Sequence, residues 1–181
     1  NQNHLRHFKT GVRRGTQKII MKIFIVRHGE AVPNTGSDFD RTLTDAGEIA
    51  SKNVGTFCRK SGIYFTHVLV SPITRAKQTA RLVMEQLPAA PMEESDLLTP
   101  DSDPKNLFNH LRSFTNETRI LCVTHEPFAS TCISTLVSGT ETAHIVMKPA
   151  SFACIETVGV PLRGNGKLLW LMNSEMIKLL L

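Results

Sequence analysis

A chain of 181 residues with 41% hydrophobic side chains has the size and apolar content of one globular domain with a full core, and none of its apolar runs reaches the roughly eighteen residues of a membrane span. The net charge of +5 sits at the start: residues 1–20 hold Arg6, Lys9, Arg13, Arg14 and Lys18 without an acid, and taking those five from 21 basic side chains leaves sixteen against sixteen acids. The remaining body is neutral and shows no basic face interleaved with stacking aromatics, so nucleic acid and membranes are not expected partners.

Residues 1–20 lack the apolar stretch of a secretory signal. They read as a basic extension, disordered or added by expression, ahead of a single domain over 21–181. The four cysteines, Cys58, Cys122, Cys132 and Cys154, have no CxxC spacing. Two of them fall in predicted core strands, and the set reads as reduced thiols of a cytoplasmic protein.

Ile23-Phe24-Ile25-Val26 is a run of β-branched and aromatic residues that predicts a buried parallel strand, and it stops on Arg27-His28-Gly29-Glu30. Residues 31–42, with Pro33, Asn34, Gly36, Ser37 and Asp38, predict a loop. Thr44 is placed to cap a helix running to about Lys60, before the stop at Gly62. Val68-Leu69-Val70 predicts a strand that runs straight into a second helix, with Ser71 as the N-cap, Pro72 at the first helical position and Arg75 in the first turn. That helix is expected to reach about Leu87. Residues 88–100 carry three prolines and predict a loop. Asp103-Pro104 opens a helix to about Phe114.

Residues 119–124 predict another buried strand, ending on His125-Glu126. Pro127 opens a helix to about Val137, which Gly139 ends. Residues 150–158 and 167–172 predict an antiparallel hairpin turning at Asn165-Gly166. Strands alternating with helices, then a hairpin, predict an α/β three-layer sandwich: a mostly parallel central sheet with helices on both faces.

Ligands of open α/β sheets collect beyond the carboxyl ends of the strands. Two strand ends that each carry a histidine therefore predict one shared site. Imidazole, with an unperturbed pKa of about 6.5, keeps a free ring nitrogen at neutral pH, so His28 can attack phosphorus. Phosphoryl transfer spreads charge over three equatorial oxygens. Arg27, Arg75 and a protonated His125 suit that charge, since an arginine grips two oxygens in a planar fork. A helix start at Ser71 adds unpaired N–H groups. Glu30 and Glu126 close to the histidines hint at zinc, but Arg27 and Arg75 would repel a cation, so neither a metal nor a cofactor is expected.

Arg27-His28-Gly29-Glu30, Ser71-Pro72-x-x-Arg75-Ala76-x-Gln78-Thr79 and Thr124-His125-Glu126-Pro127 resemble, in order, the three signatures of the histidine phosphatase (phosphoglycerate mutase-like) superfamily. The short length and Arg41-Thr42-Leu43-Thr44-x-x-Gly47 resemble its SixA-type phosphohistidine phosphatases. The resemblance runs from about Met21 to the Trp170 region. It implies that His28 is phosphorylated in turnover, that Arg27, Arg75 and His125 form the phosphate pocket, and that Arg41 adds a fourth contact.

Larger members of that superfamily place an acidic proton donor between the second and third signatures, where this chain has Glu93, Glu94, Asp96 and Asp101 in no evident motif. A general acid assists expulsion of an alkoxide by roughly 10²–10⁴-fold, whereas imidazole leaves a P–N bond with little help. The missing motif thus fits a phosphohistidine substrate, with Glu30, Asp38 or a water left as donors for an ester. The implied function is a metal-independent phosphatase, working through a phosphohistidine intermediate on a phosphohistidine-bearing signalling protein. The alternatives are a phosphatase or mutase of small phosphate esters and a non-catalytic phosphate-binding module.

Overall fold

Period-two alternation of side chains splits every central strand between two cores. The computed structural model describes residues 20–33, 36–114 and 118–181; the basic extension through residue 19 lies outside them. Strands β1 (Ile20–Arg27), β2 (His67–Val70), β3 (Met92–Glu94), β4 (Arg119–Thr124), β5 (Phe152–Val158) and β6 (Gly166–Met172) form a six-stranded sheet in the order β3-β2-β4-β1-β5-β6. The first four of that order are parallel, β5 runs antiparallel to β1, and β6 antiparallel to β5.

Helices α1 (Asp45–Lys60), α2 (Thr74–Met84), α3 (Pro104–Leu111), α4 (Phe128–Ser138) and α5 (Ser174–Leu179) complete the layers. Ile23, Ile25, Ile120 and Cys122 pack with Leu107 and Leu111 of α3 and with Phe128 and Ile133 of α4. Their neighbours Phe24, Val26, Leu121 and Val123 face the other way, against Val54 of α1, Ala80 and Val83 of α2 and Ile177 of α5. The three-layer sandwich expected from the alternation of elements is the observed architecture. All four cysteines are buried thiols. Among the described residues no helix is long and apolar enough to cross a membrane.

Local chemistry accounts for most boundaries. Thr44 accepts from the Gly47 N–H at the start of α1, Asp103 accepts from the Lys105 N–H before α3, and Gly139 ends α4 at φ +75°, a conformation that glycine adopts without strain. The exception is α2. It begins at Thr74, not Pro72, with extended Ile73 in the cap position, because the Ser71 hydroxyl is engaged by His125 and sits at a long 3.4 Å from the Ile73 nitrogen.

Four further differences follow from contacts that periodicity does not register. Helices α2 and α3 stop at Met84 and Leu111 and close in single turns, Leu87 N–H to the Met84 carbonyl and Phe114 N–H to the Leu111 carbonyl, which keep helical spacing without further helix. The hairpin does not turn at Asn165-Gly166. Residues 159–165 form a longer loop, in which the Asn165 side chain accepts from Leu162 and donates to the Val160 carbonyl, while the Gly164 N–H reaches Thr135 of α4. The proline-rich segment 88–100 holds strand β3, paired with residues 68–70, and residues 173–181 add α5, capped by Asn173.

Candidate active site

Strand β4 lies between β2 and β1, so the carboxyl ends of three adjacent parallel strands open on one place. Arg27 and Thr124 are register partners, and the His28 N–H donates to the Thr124 carbonyl at 2.9 Å. His28 and His125 consequently leave the sheet side by side, with ring centroids 4.9 Å apart. Strand β2 leads through Ser71 to Arg75 at the start of α2, whose Nε–H donates to His28 Nε2 at 3.2 Å.

The remaining two predicted residues join this group. Arg27 donates from Nη1 to the Met147 carbonyl at 2.6 Å, and its charge acts on both imidazoles. Arg41 donates from Nε to the Val32 carbonyl at 2.7 Å and from Nη1 to Asp38 Oδ1 at 2.8 Å. Its charge also acts on His28. Arg27, His28, Arg41, Arg75 and His125 are thus gathered from four separate stretches of chain.

The tautomer of His28 is set by the main chain. Its Nδ1–H donates to the Gly29 carbonyl at 2.6 Å, which leaves the lone pair on Nε2. Burial, followed by the charges of Arg75, Arg27 and Arg41, overrides that hydrogen bond and brings the His28 pKa down to about 4. Gly29 in turn donates its N–H to Thr79 Oγ1 at 3.0 Å. A Cβ on Gly29 would stand 2.6 Å from the Gly47 carbonyl oxygen, so this loop and the start of α1 meet where only hydrogens fit.

His125 departs from the expected protonated form. Burial, then the neighbouring His28 and Arg75, outweigh the opposing charge of Asp38 and lower its pKa to about 3. Ser71 Oγ lies 2.8 Å from His125 Nε2, and a hydroxyl, with one O–H and two lone pairs, can serve either tautomer of that ring. His125 Nδ1 is buried and has no hydrogen-bond partner among the described residues. A neutral His125 with its proton on Nδ1 can donate to an oxyanion without first acquiring charge.

The carboxylates are distributed unevenly. Glu30 accepts from the Thr44 hydroxyl on an exposed surface, and Glu94 on β3 faces Lys77 at 3.5 Å. Glu126 accepts from Ser130 at 2.6 Å and favours the charged form of Arg27 against the burial that lowers its pKa. Asp38 enters the group itself: its Oδ2 accepts from Arg75 Nη2 at 3.0 Å and its main-chain carbonyl from Arg75 Nη1 at 2.6 Å. Hydrogen bonds from Arg41 and then Arg75 outweigh desolvation and hold the Asp38 carboxyl below its usual range. Among the described residues no group of three or more His, Cys, Asp or Glu side chains could hold a metal ion.

Residue type gives only part of the rest: Ser71 reads as a helix cap, Thr79 enters only within the second signature, Asp38 enters only as a candidate donor for an ester and not as a partner of Arg75 and Arg41, and the Met147 main-chain carbonyl leaves no trace in sequence.

Known proteins are similar to this chain in sequence and fold. The family model described as histidine phosphatase superfamily (branch 1) matches residues 23–99. The phosphohistidine phosphatase SixA of Escherichia coli K12 is 31% identical over 163 residues, spanning 88% of this chain and 98% of SixA. A solved structure of the protein histidine phosphatase SixA complexed with tungstate superposes with a TM-score of 0.77 at 28% identity, covering 85% of this chain and 97% of that one. The mitochondrial serine/threonine-protein phosphatase PGAM5 of Xenopus tropicalis is 33% identical over 81 residues, but the match covers only 29% of that longer protein. With near-complete coverage of SixA and one continuous sheet carrying the paired histidines, this chain is a phosphatase of the histidine phosphatase superfamily.

Proposed function

We propose that the protein is a metal-independent phosphohistidine phosphatase acting on a histidine-phosphorylated signalling protein, with His28 as nucleophile. The observation that carries this reading is the His28 geometry: Nδ1–H is committed to the Gly29 carbonyl, and Nε2 bears its lone pair beside the Arg75 guanidinium. Nε2 attacks phosphorus, the P–N bond to the substrate imidazole breaks as the new N–P bond forms, and the departing imidazole takes a proton from water. Water then attacks phospho-His28, releasing inorganic phosphate and restoring the ring. Arg27, Arg41 and Arg75 supply the positive charge that the three equatorial oxygens require, and His125 donates through Nδ1.

Asp38 supports the substrate class. Its carboxylate accepts from Arg75 and Arg41, which keep it ionised, so it is a poor proton donor for an alkoxide leaving group. A substrate imidazole does not need one. The four buried cysteine thiols suit a reducing cytoplasm.

The test is turnover of a phosphohistidine-bearing domain against sugar phosphates, with and without chelator, by the wild type and by His28→Ala. The expected result is chelator-insensitive release of phosphate from the domain, transient labelling of His28 and loss of both in the variant. Turnover of the esters alone, or full activity of His28→Ala, would overturn the reading.

A further inference from the structure

The geometry points to Asp38 as an internal competitor for the phosphate pocket, a resident carboxylate that an incoming phosphoryl group must displace from Arg75 and Arg41. Each nitrogen of Arg75 makes a hydrogen bond, Nε to His28 Nε2, Nη1 to the Asp38 carbonyl and Nη2 to Asp38 Oδ2, which engages three of its five N–H donors. The second carboxylate oxygen receives Arg41 Nη1. One carboxylate therefore bridges two guanidiniums of the site from separate parts of the chain, and its charge reaches His125 as well. Two anions cannot share those donors without strong repulsion.

Asp38 is also built to move. Its side chain is 51% exposed, and it opens a single 3-10 turn, Asp38–Asp40, with no buried residue. Withdrawing the turn uncovers no core. The pocket stays behind when the carboxylate leaves: Arg41 is anchored through Nε to the Val32 carbonyl, and Arg75 is buried in the first turn of α2. Displacement thus lowers the affinity for every anion by the strength of the carboxylate's own hold. A phosphoryl group presented on a docked substrate overcomes this with contacts elsewhere, whereas free phosphate has none to add. Asp38 on this view rejects the product and speeds its release.

The inference uses the site proposed above but not its substrate, and it is tested without one. Binding of inorganic phosphate and of tungstate to the full chain is measured by calorimetry for wild type, Asp38→Asn and Asp38→Ala, with melting temperatures recorded without added anion. Both variants are expected to bind about tenfold more tightly, the scale of one charge-assisted hydrogen bond removed from competition. Adding Arg75→Ala to either variant should abolish that binding. Affinity that is unchanged or weaker in the isosteric Asp38→Asn, with its melting temperature retained, would make Asp38 a strut for Arg75 and overturn the inference. Tight binding that survives Arg75→Ala would overturn it too, by placing the anion elsewhere. Failure to hydrolyse phosphohistidine would leave these affinities untouched and count only against the proposed function.

Discussion

Ser71 Oγ stands 2.8 Å from His125 Nε2 with both residues buried. The contact engages the hydroxyl that would otherwise cap α2, and a Ser71 O–H donated to Nε2 would leave the His125 proton on Nδ1, as the proposed mechanism requires. Ser71→Ala is expected to lower kcat/KM by about ten- to a hundredfold, the scale on which partners that orient an active imidazole act. The loss should fall mainly in kcat, since the arginines still hold the ground-state phosphate. Nitrogen NMR of His125 gives an independent check, with the wild type protonated at Nδ1 and the variant mixed. An unchanged tautomer would refute the assignment.

Gly47 sets how closely α1 approaches the His28 loop. A Cβ there would stand 2.1 Å from the Glu30 carbonyl oxygen, with the Glu30 nitrogen at 2.9 Å, so main chain must shift. Gly47→Ala is expected to cost about 1–3 kcal/mol, the usual range for overpacking, and to reduce activity by moving the backbone that orients His28. Gly55 is the control. Its Cβ would meet the Val83 carbonyl at 2.5 Å, between α1 and α2 and away from the histidines. Gly55→Ala should lower the melting temperature comparably while keeping the kcat of the folded fraction.

The sheet could be read from sequence because its strands are continuous apolar runs and its helices open on real caps, Thr44 and Asp103. The same runs end on Arg27-His28 and on His125, so the placement of both histidines followed from strand direction alone. What could not be read has a common origin in contacts between segments. Ser71 reads as a cap until His125 is seen beside it. Asn165-Gly166 reads as a tight turn until α4 takes the Gly164 N–H. Strand β3 is three exposed residues, Met92–Glu94, too short for any period to register. The protonation state of His125 belongs to this class as well, because the charges around it come from three other stretches of chain.

The arginines should rank by how deeply each is committed. Arg75 is 6% exposed at its side chain and touches His28 directly, whereas Arg41 is 25% exposed and reaches the site through Asp38. Arg75→Ala is expected to reduce kcat/KM by on the order of 10²–10³, as for loss of one oxyanion donor. Arg75→Lys should recover little, because an ammonium cannot reproduce the planar fork. Arg41→Ala should cost only about tenfold. Steady-state kinetics on one substrate settles the order, and a larger loss at Arg41 than at Arg75 would reverse this picture of the pocket.

Acid should destabilise the protein before it silences the nucleophile. His28 and His125 titrate near 4 and 3 in the fold and at about 6.5 when unfolded. Between those limits the unfolded chain binds protons that the folded chain refuses, so stability rises with pH across the window. The contribution is complete above about 6.5 and is lost progressively as pH falls toward the folded values, by on the order of a few kcal/mol per imidazole. Asp38 adds to the loss at the acid end, since its lowered pKa stabilises the fold only while the carboxyl is ionised. Thermal melts from pH 7.5 to 5 in a non-coordinating buffer should fall steadily, and His125→Asn should flatten the slope by removing one of the two titrating rings. Within the folded fraction the unprotonated His28 persists through mild acid, so kcat/KM should show no acid limb near pH 6.5. A flat melting profile, or an activity limb centred there, would mean that these imidazoles are not held neutral by burial and the surrounding guanidiniums.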